Sequence, residues 1–199
     1  MGTYYLDIET TGVDPRSDRI ITIQYQELER NSGRPKGRLV ILKEWECWKE
    51  AGEKEGEGGI LKRLVDNTPI CGNAFDFIPV GNNLEFEHKF LNHKSKTHGL
   101  PEIAIAGKPA LDVKAILVMM NRCEFKGSGL DRMTGKAQDG SHIKEWYQKG
   151  DYDRIIEYVE DEAREFSRFF VWLCEEMPIL HKQFTIKLAS TQKARRQQQ

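Results

Sequence analysis

The sequence predicts a single α/β domain built on a mixed sheet with flanking helices. Two observations predict it: three short aromatic or β-branched runs follow one another near the N-terminus, and the later chain alternates short apolar runs with stretches of helical period. An antiparallel meander followed by strand–helix alternation gives a sheet covered by helices, not a bundle or a sandwich. With 199 residues, 39% of them hydrophobic, the chain suits one domain with a substantial core, and any second domain would be very small.

Tyr4-Tyr5-Leu6 is a short apolar run that meets Thr10-Thr11-Gly12 and the turn-forming Asp14-Pro15, a strand ending in a loop. Residues 20–25, IITIQY, are the second strand and residues 38–42 the third, separated by Asn31-Ser32-Gly33, Pro35 and Gly37. The period then changes. Residues 53–65 are charged with apolar spacing and stop before Asn67 and Pro69, as a helix does. Residues 77–80 form a short strand closed by Gly81-Asn82-Asn83, and residues 84–92 carry Leu84, Phe86, Phe90 and Leu91 at helical spacing. Ala110-Leu111-Asp112 ends another strand, followed by a helix through Met120, and residues 122–140 are expected as a surface loop or a short irregular helix. The longest helical signal spans residues 152–173, where Ile155, Ile156, Val159, Ala163, Phe166, Phe169 and Phe170 share one side, with Asp151 as candidate N-cap. Residues 193–199 read as a frayed tail, and the domain is placed at residues 1–180 with residues 181–199 as an extension.

Lysine and arginine number 30 against 31 aspartates and glutamates, a net charge of −1. That excludes a uniformly basic nucleic-acid footprint, though not a basic rim around an acidic, metal-filled centre. Cys47, Cys71, Cys123 and Cys174 lie far apart with no paired spacing, which argues against structural zinc and for free thiols. No signal-peptide pattern opens the chain, and no apolar run nears the roughly 20 residues of a membrane helix. The expectation is a soluble, cytoplasmic protein with no membrane partner; a homo-oligomer stays open.

Asp7 and Glu9 stand two apart on the first strand, so period two puts both side chains on one face and turns Ile8 into the core. Two like charges side by side on a half-buried strand are unfavourable unless a cation lies between them, although acids at strand ends are also commonly just solvated. Hydrolysing a phosphodiester requires an activated water and stabilisation of charge on the attacking and leaving oxygens, which two divalent ions about 3.5–4 Å apart supply. Hard ions such as Mg²⁺ and Mn²⁺ take oxygen ligands, so acids gathered from separate elements are the expected protein contribution.

The segment Leu6-Asp7-Ile8-Glu9-Thr10-Thr11-Gly12 resembles the first motif of the DEDD 3′→5′ exonuclease superfamily, which includes the exonuclease domains of family-B DNA polymerases. The resemblance implies a ribonuclease-H-like fold, metal-binding roles for Asp7 and Glu9, and contacts from Thr10, Thr11 and Gly12 to the terminal nucleotide. Residues 80–91, VGNNLEFEHKFL, resemble the second motif, with Asn83 as a substrate contact and Glu87 standing where the family has Asp. Residues 150–163, GDYDRIIEYVEDEA, resemble the tyrosine form of the third, in which Tyr precedes the last metal-binding Asp by four residues on one helix face. Four residues beyond Tyr158 is Glu162, again Glu for Asp; Asp161, three beyond, also lies near that face. Register favours Glu162 and chemical identity favours Asp161.

In the family the Tyr hydroxyl orients the attacking water, the role the resemblance implies for Tyr158; the alternative for Tyr158 is an aromatic packed at the sheet edge. No His stands five residues before either acid, where Ile156 and Glu157 lie, which disfavours the histidine form. Spanning roughly residues 3–170, the resemblance implies a 3′→5′ exonuclease with two Mg²⁺ or Mn²⁺ ions, acting on single-stranded DNA or RNA with a 3′ end and releasing nucleoside monophosphates. The alternatives are a catalytically weak binding module of the same fold and an endonuclease of the same superfamily. Lys126, Arg132 and Lys136 form a basic stretch able to track phosphates or simply to be solvated. His88, His93 and His98 lie five apart and lack the spacing of a helix-borne metal pair. Trp45 and Trp48 are expected in packing or at a partner surface.

Overall fold

The computed structural model describes residues 2–47, 56–134 and 140–196. Five strands, β1 (Thr3–Thr10), β2 (Ile20–Leu28), β3 (Val40–Lys43), β4 (Ile78–Gly81) and β5 (Leu111–Asp112), form one sheet in the order β3-β2-β1-β4-β5. β1 pairs antiparallel with β2 and β2 with β3, whereas β1 to β4 and β4 to β5 are parallel. This is the mixed sheet the sequence predicts. The helices are α1 (Gly56–Asn67), α2 (Leu84–Thr97), α3 (Lys114–Met120), α4 (Leu130–Thr134), α5 (Ile143–Lys149) and α6 (Tyr152–Arg196).

The alternation along β1 sorts its side chains between two helical layers. Leu6 and Ile8 are buried with Ile60, Leu61 and Leu64 of α1 and with Phe90 and Leu91 of α2. Tyr5 turns to the other face, among Phe166, Phe170 and Leu173 of α6 and Leu117 of α3. A smaller cluster of Ile21, Ile143, Ile155, Tyr158 and Val159 joins β2, α5 and α6. Each such large apolar side chain contributes about 1.5–3 kcal/mol on burial, so β1 is anchored from both sides. Gly81 is required at the end of β4, since a Cβ there would stand 2.6 Å from Leu84 Cδ2 and 2.8 Å from the Leu6 carbonyl oxygen.

Two buried carboxylates fix the end of the sheet where β1 turns into β2. The Ile20 N–H donates to Glu57 Oε1 at 2.7 Å, while Lys94 and His98 of the α2 end meet Glu57 Oε2 at 3.5 and 3.0 Å. Glu44, wholly buried, is held by the Arg19 guanidinium and the Tyr147 hydroxyl.

Several bounds differ from the sequence reading. β3 begins and ends a residue or two later than expected. The helix expected over residues 53–65 starts, among the described residues, at Gly56. α2 continues to Thr97 because polar residues fill its inner face: Ser95 is buried with its hydroxyl donating to the Asn92 carbonyl, and Lys94 is buried against Glu57. Within residues 122–140, expected as a loop or a short irregular helix, α4 is a helix of five residues, while Lys136 and Trp48 lie outside the described residues. α6 does not fray at residue 193 but is helical to Arg196. Pro178 removes only one N–H from its interior, and no Gly or further Pro follows to end it. No helix among the described residues is long and apolar enough to cross a membrane.

Candidate active site

The face of β1 turned towards α6 carries Asp7 and Glu9. Ile155, Tyr158 and Glu162 follow the i, i+3, i+7 row down the side of α6 that meets it. One carboxylate oxygen from each of Asp7, Glu9 and Glu162 lies within 4.8 Å of the other two, and all three residues are part-exposed. Asp161 is turned to solvent, where Arg164 Nη1 donates to it at 2.7 Å. The geometry therefore brings Glu162, and not Asp161, to the first strand. Glu157 and Glu160 are likewise exposed.

Glu87 sits in the first turn of α2 and is only 3% exposed. It is not in the tight group of three, but the charges of Asp7, Asp112 and Glu162 all act on it. Burial, and after it the Asp7 charge, pushes its carboxyl well above the ordinary glutamate range. Its Oε2 is buried with no hydrogen-bond partner. An orphaned buried oxygen costs about 1–3 kcal/mol, so this carboxylate is placed at the expense of stability.

α2 owes its start to a residue the sequence reading passed over. Asn83 is in the left-handed region (φ 71°) and offers no side-chain cap. Asp112, at the end of β5, does the capping: its Oδ1 and Oδ2 accept from the Asn83 and Leu84 N–H groups at 2.8 and 2.9 Å. The only signal for this in the sequence was an acid at a strand end. The neighbouring Asn82 has a buried Oδ1 without a partner.

Tyr158 is 7% exposed and its hydroxyl is hydrogen-bonded to Glu162. Burial, followed by the charges of Glu162 and Glu9, holds the phenol far above its ordinary range, so it is protonated and donates. The Gly140–His142 turn comes against this hydroxyl: a Cβ on Gly140 would lie 3.3 Å from it. Trp146 of α5 meets the same ring at a centroid distance of 6.3 Å. Tyr158 is thus packed against α5 with its hydroxyl turned towards the acids.

Asp7 Oδ2 accepts from Gln24 Nε2 at 3.1 Å and from the Tyr5 hydroxyl at 3.4 Å. The sequence reading missed both donors; the signal available was a polar Gln within the β-branched run IITIQY. At the strand end, Thr10 Oγ1 donates to the Gly12 carbonyl at 2.5 Å, the Thr11 N–H donates to the Arg19 carbonyl at 2.9 Å, and the Arg19 N–H donates to the Thr11 hydroxyl at 3.0 Å. These bonds fold the Thr10-Thr11-Gly12 turn back beside Glu9. Of the histidines without an assigned role, His98 meets Glu57 and His88 Nδ1 accepts from the Ile105 N–H at 3.2 Å; both are structural.

The donor set fits a hard divalent cation. The acids supply oxygen only, no His or Cys among the described residues joins the group, and Glu87, whose buried Oε2 has no hydrogen-bond partner, feels the charges of Asp7 and Glu162.

The sheet order and flanking helices define a ribonuclease-H-like fold. Within that class, solved structures of Exonuclease I match the chain. A complex of SSB/Exonuclease I with the inhibitor CFAM matches with a TM-score of 0.52 and 13% identity over 71% of this chain and 38% of that chain. A structure of Exonuclease I bearing on processivity gives 0.51 and 12% over 71% and 37%. The zinc-bound form of an E. coli ExoI–ssDNA complex gives 0.50 and 12% over 72% and 36%. This chain therefore spans less than two-fifths of the length of these neighbours. No protein-family model and no curated protein matches the chain.

Proposed function

We propose that the domain, residues 1–180 with 181–199 as an extension, is a 3′→5′ exonuclease of the DEDD type acting on single-stranded nucleic acid. The observation that carries this reading is the meeting of Asp7, Glu9 and Glu162 within 4.8 Å, from β1 and α6, with the buried Glu87 carboxyl near enough for the Asp7 charge to act on it. Asp7, Glu9, Glu162 and Glu87 would hold two Mg²⁺ or Mn²⁺ ions, with Asp161 outside the set. Bound there, such ions activate water and stabilise charge on the attacking and leaving oxygens.

The chain's own residues do the rest. Tyr158, a protonated donor beside Glu162, orients the attacking water at the last phosphodiester. Thr10, Thr11, Gly12 and Asn83 form the rim on which the terminal nucleotide rests, and Lys126 and Arg132 offer cations to the phosphates behind it. The E. coli ExoI–ssDNA complex among the fold neighbours supports single-stranded DNA as the first substrate to test.

The test is degradation of a 3′-labelled single-stranded oligonucleotide in Mn²⁺, with Asp7→Ala as control. Monophosphate release abolished by Asp7→Ala sustains the reading. Tight binding without products would instead make the chain a binding module, for which the position of Glu87 outside the tight group is the supporting observation. Cutting of a circular single strand would make it an endonuclease.

A further inference from the structure

Gln24 stands directly opposite Asp7 in the β1–β2 register and has no exposed surface. Ile20, Ile21 and Ile23 of β2 are equally buried, as is Thr22, two residues from Gln24 and opposite Glu9. A long polar amide here is unfavourable unless something requires it. Its Nε2 reaches Asp7 Oδ2 at 3.1 Å, whereas its Oε1 is buried without a partner. Turning the amide over would set oxygen against carboxylate, so the donor end is the one that faces Asp7.

Tyr5 converges on the same atom from elsewhere. It lies two residues before Asp7, on the same face of β1, and is 2% exposed. Its hydroxyl is 3.4 Å from Asp7 Oδ2, and its ring is held against Phe166 of α6 at 4.8 Å. One carboxylate oxygen is therefore gripped from β2 and from a side chain braced by the helix that carries Glu162.

Both of these donors to Oδ2 are neutral. An amide and a phenol fix the plane of the carboxylate without adding positive charge. Resting on the metal-site reading above, we infer that Gln24, seconded by Tyr5, is the positioning residue that presents Asp7 to the divalent ion.

The test uses the full chain and reads Mn²⁺ affinity by titration calorimetry together with the melting temperature in EDTA. Gln24→Met keeps length and volume and removes the donor; Tyr5→Phe removes only the hydroxyl. Gln24→Met is expected to weaken Mn²⁺ binding by about 10–100-fold, Tyr5→Phe by less, and the double variant by more than either, with the metal-free melting temperature of Gln24→Met no lower than that of the parent. A folded Gln24→Met that binds Mn²⁺ within about twofold of the parent, while Asp7→Asn binds none, overturns the positioning role and leaves the metal site standing. Unchanged binding by Asp7→Asn overturns the metal site, and the inference with it. Should Gln24→Met fail to fold, an unchanged affinity in Tyr5→Phe overturns the grip on Oδ2 by itself.

Discussion

Glu87→Gln isolates the cost of burying a carboxylate for function. Glu87 is 3% exposed, Oε2 has no partner, and burial with the Asp7 charge raises its carboxyl well above the ordinary value of 4.5. The unfolded chain releases this proton near that ordinary value and the folded chain holds it to higher pH. Stability of the metal-free protein must therefore fall as pH rises from about 4.5 to the folded value, by at most about 1.4 kcal/mol per pH unit for one proton. Gln is isosteric and cannot ionise, so the variant lacks this slope. The two proteins should be nearly equal near pH 4.5 and diverge above it, with Glu87→Gln the more stable, until the difference levels off where folded Glu87 ionises. Urea unfolding in EDTA across pH 4.5 to 7.5 reads the difference directly. Parallel curves for the two proteins would refute the reasoning. The same variant should bind Mn²⁺ more weakly and release less proton on binding, since ligand carboxylates must be ionised.

Further outcomes test the other members of the site. Asp7→Asn and Glu162→Gln should each lower Mn²⁺-dependent nucleotide release by several kcal/mol of barrier, about 10³-fold, whereas Asp161→Asn should leave it unchanged in the same gel assay. Tyr158→Phe should reduce kcat about 10²-fold with KM and calorimetric Mn²⁺ affinity unchanged, because it removes a proton donor and no ligand. Asp112→Ala removes the cap of α2 and should cost about 1–2 kcal/mol in urea unfolding.

Much of this architecture was legible from pattern alone. The meander was visible because β1 and β2 are bounded by turn residues and filled with aromatic and β-branched side chains, and Asp7 and Glu9 fall on one face by parity. The choice between Asp161 and Glu162 was not legible, because three and four residues both approximate one helical turn. The side of α6 that packs, marked by Ile155 and Val159, is what carries Glu162 towards the strand and leaves Asp161 to Arg164. Gln24 and Asp112 were hidden for a different reason: each acts across strands or elements, and local sequence does not say what stands opposite. α2 was read short since its inner face ends in Lys94 and Ser95, polar residues buried through partners on other elements and not through hydrophobicity.

The acidic trio joins the first strand of the domain to its last helix, roughly 150 residues away along the chain. Nothing emerging early in synthesis can assemble it. A chain halted before Tyr152 holds all five strands, with Gln24 and Tyr5 beside Asp7, yet it lacks Glu162. The trio thus exists only where β1 and α6 have packed against each other, and residues 1–151 alone carry two of its three acids.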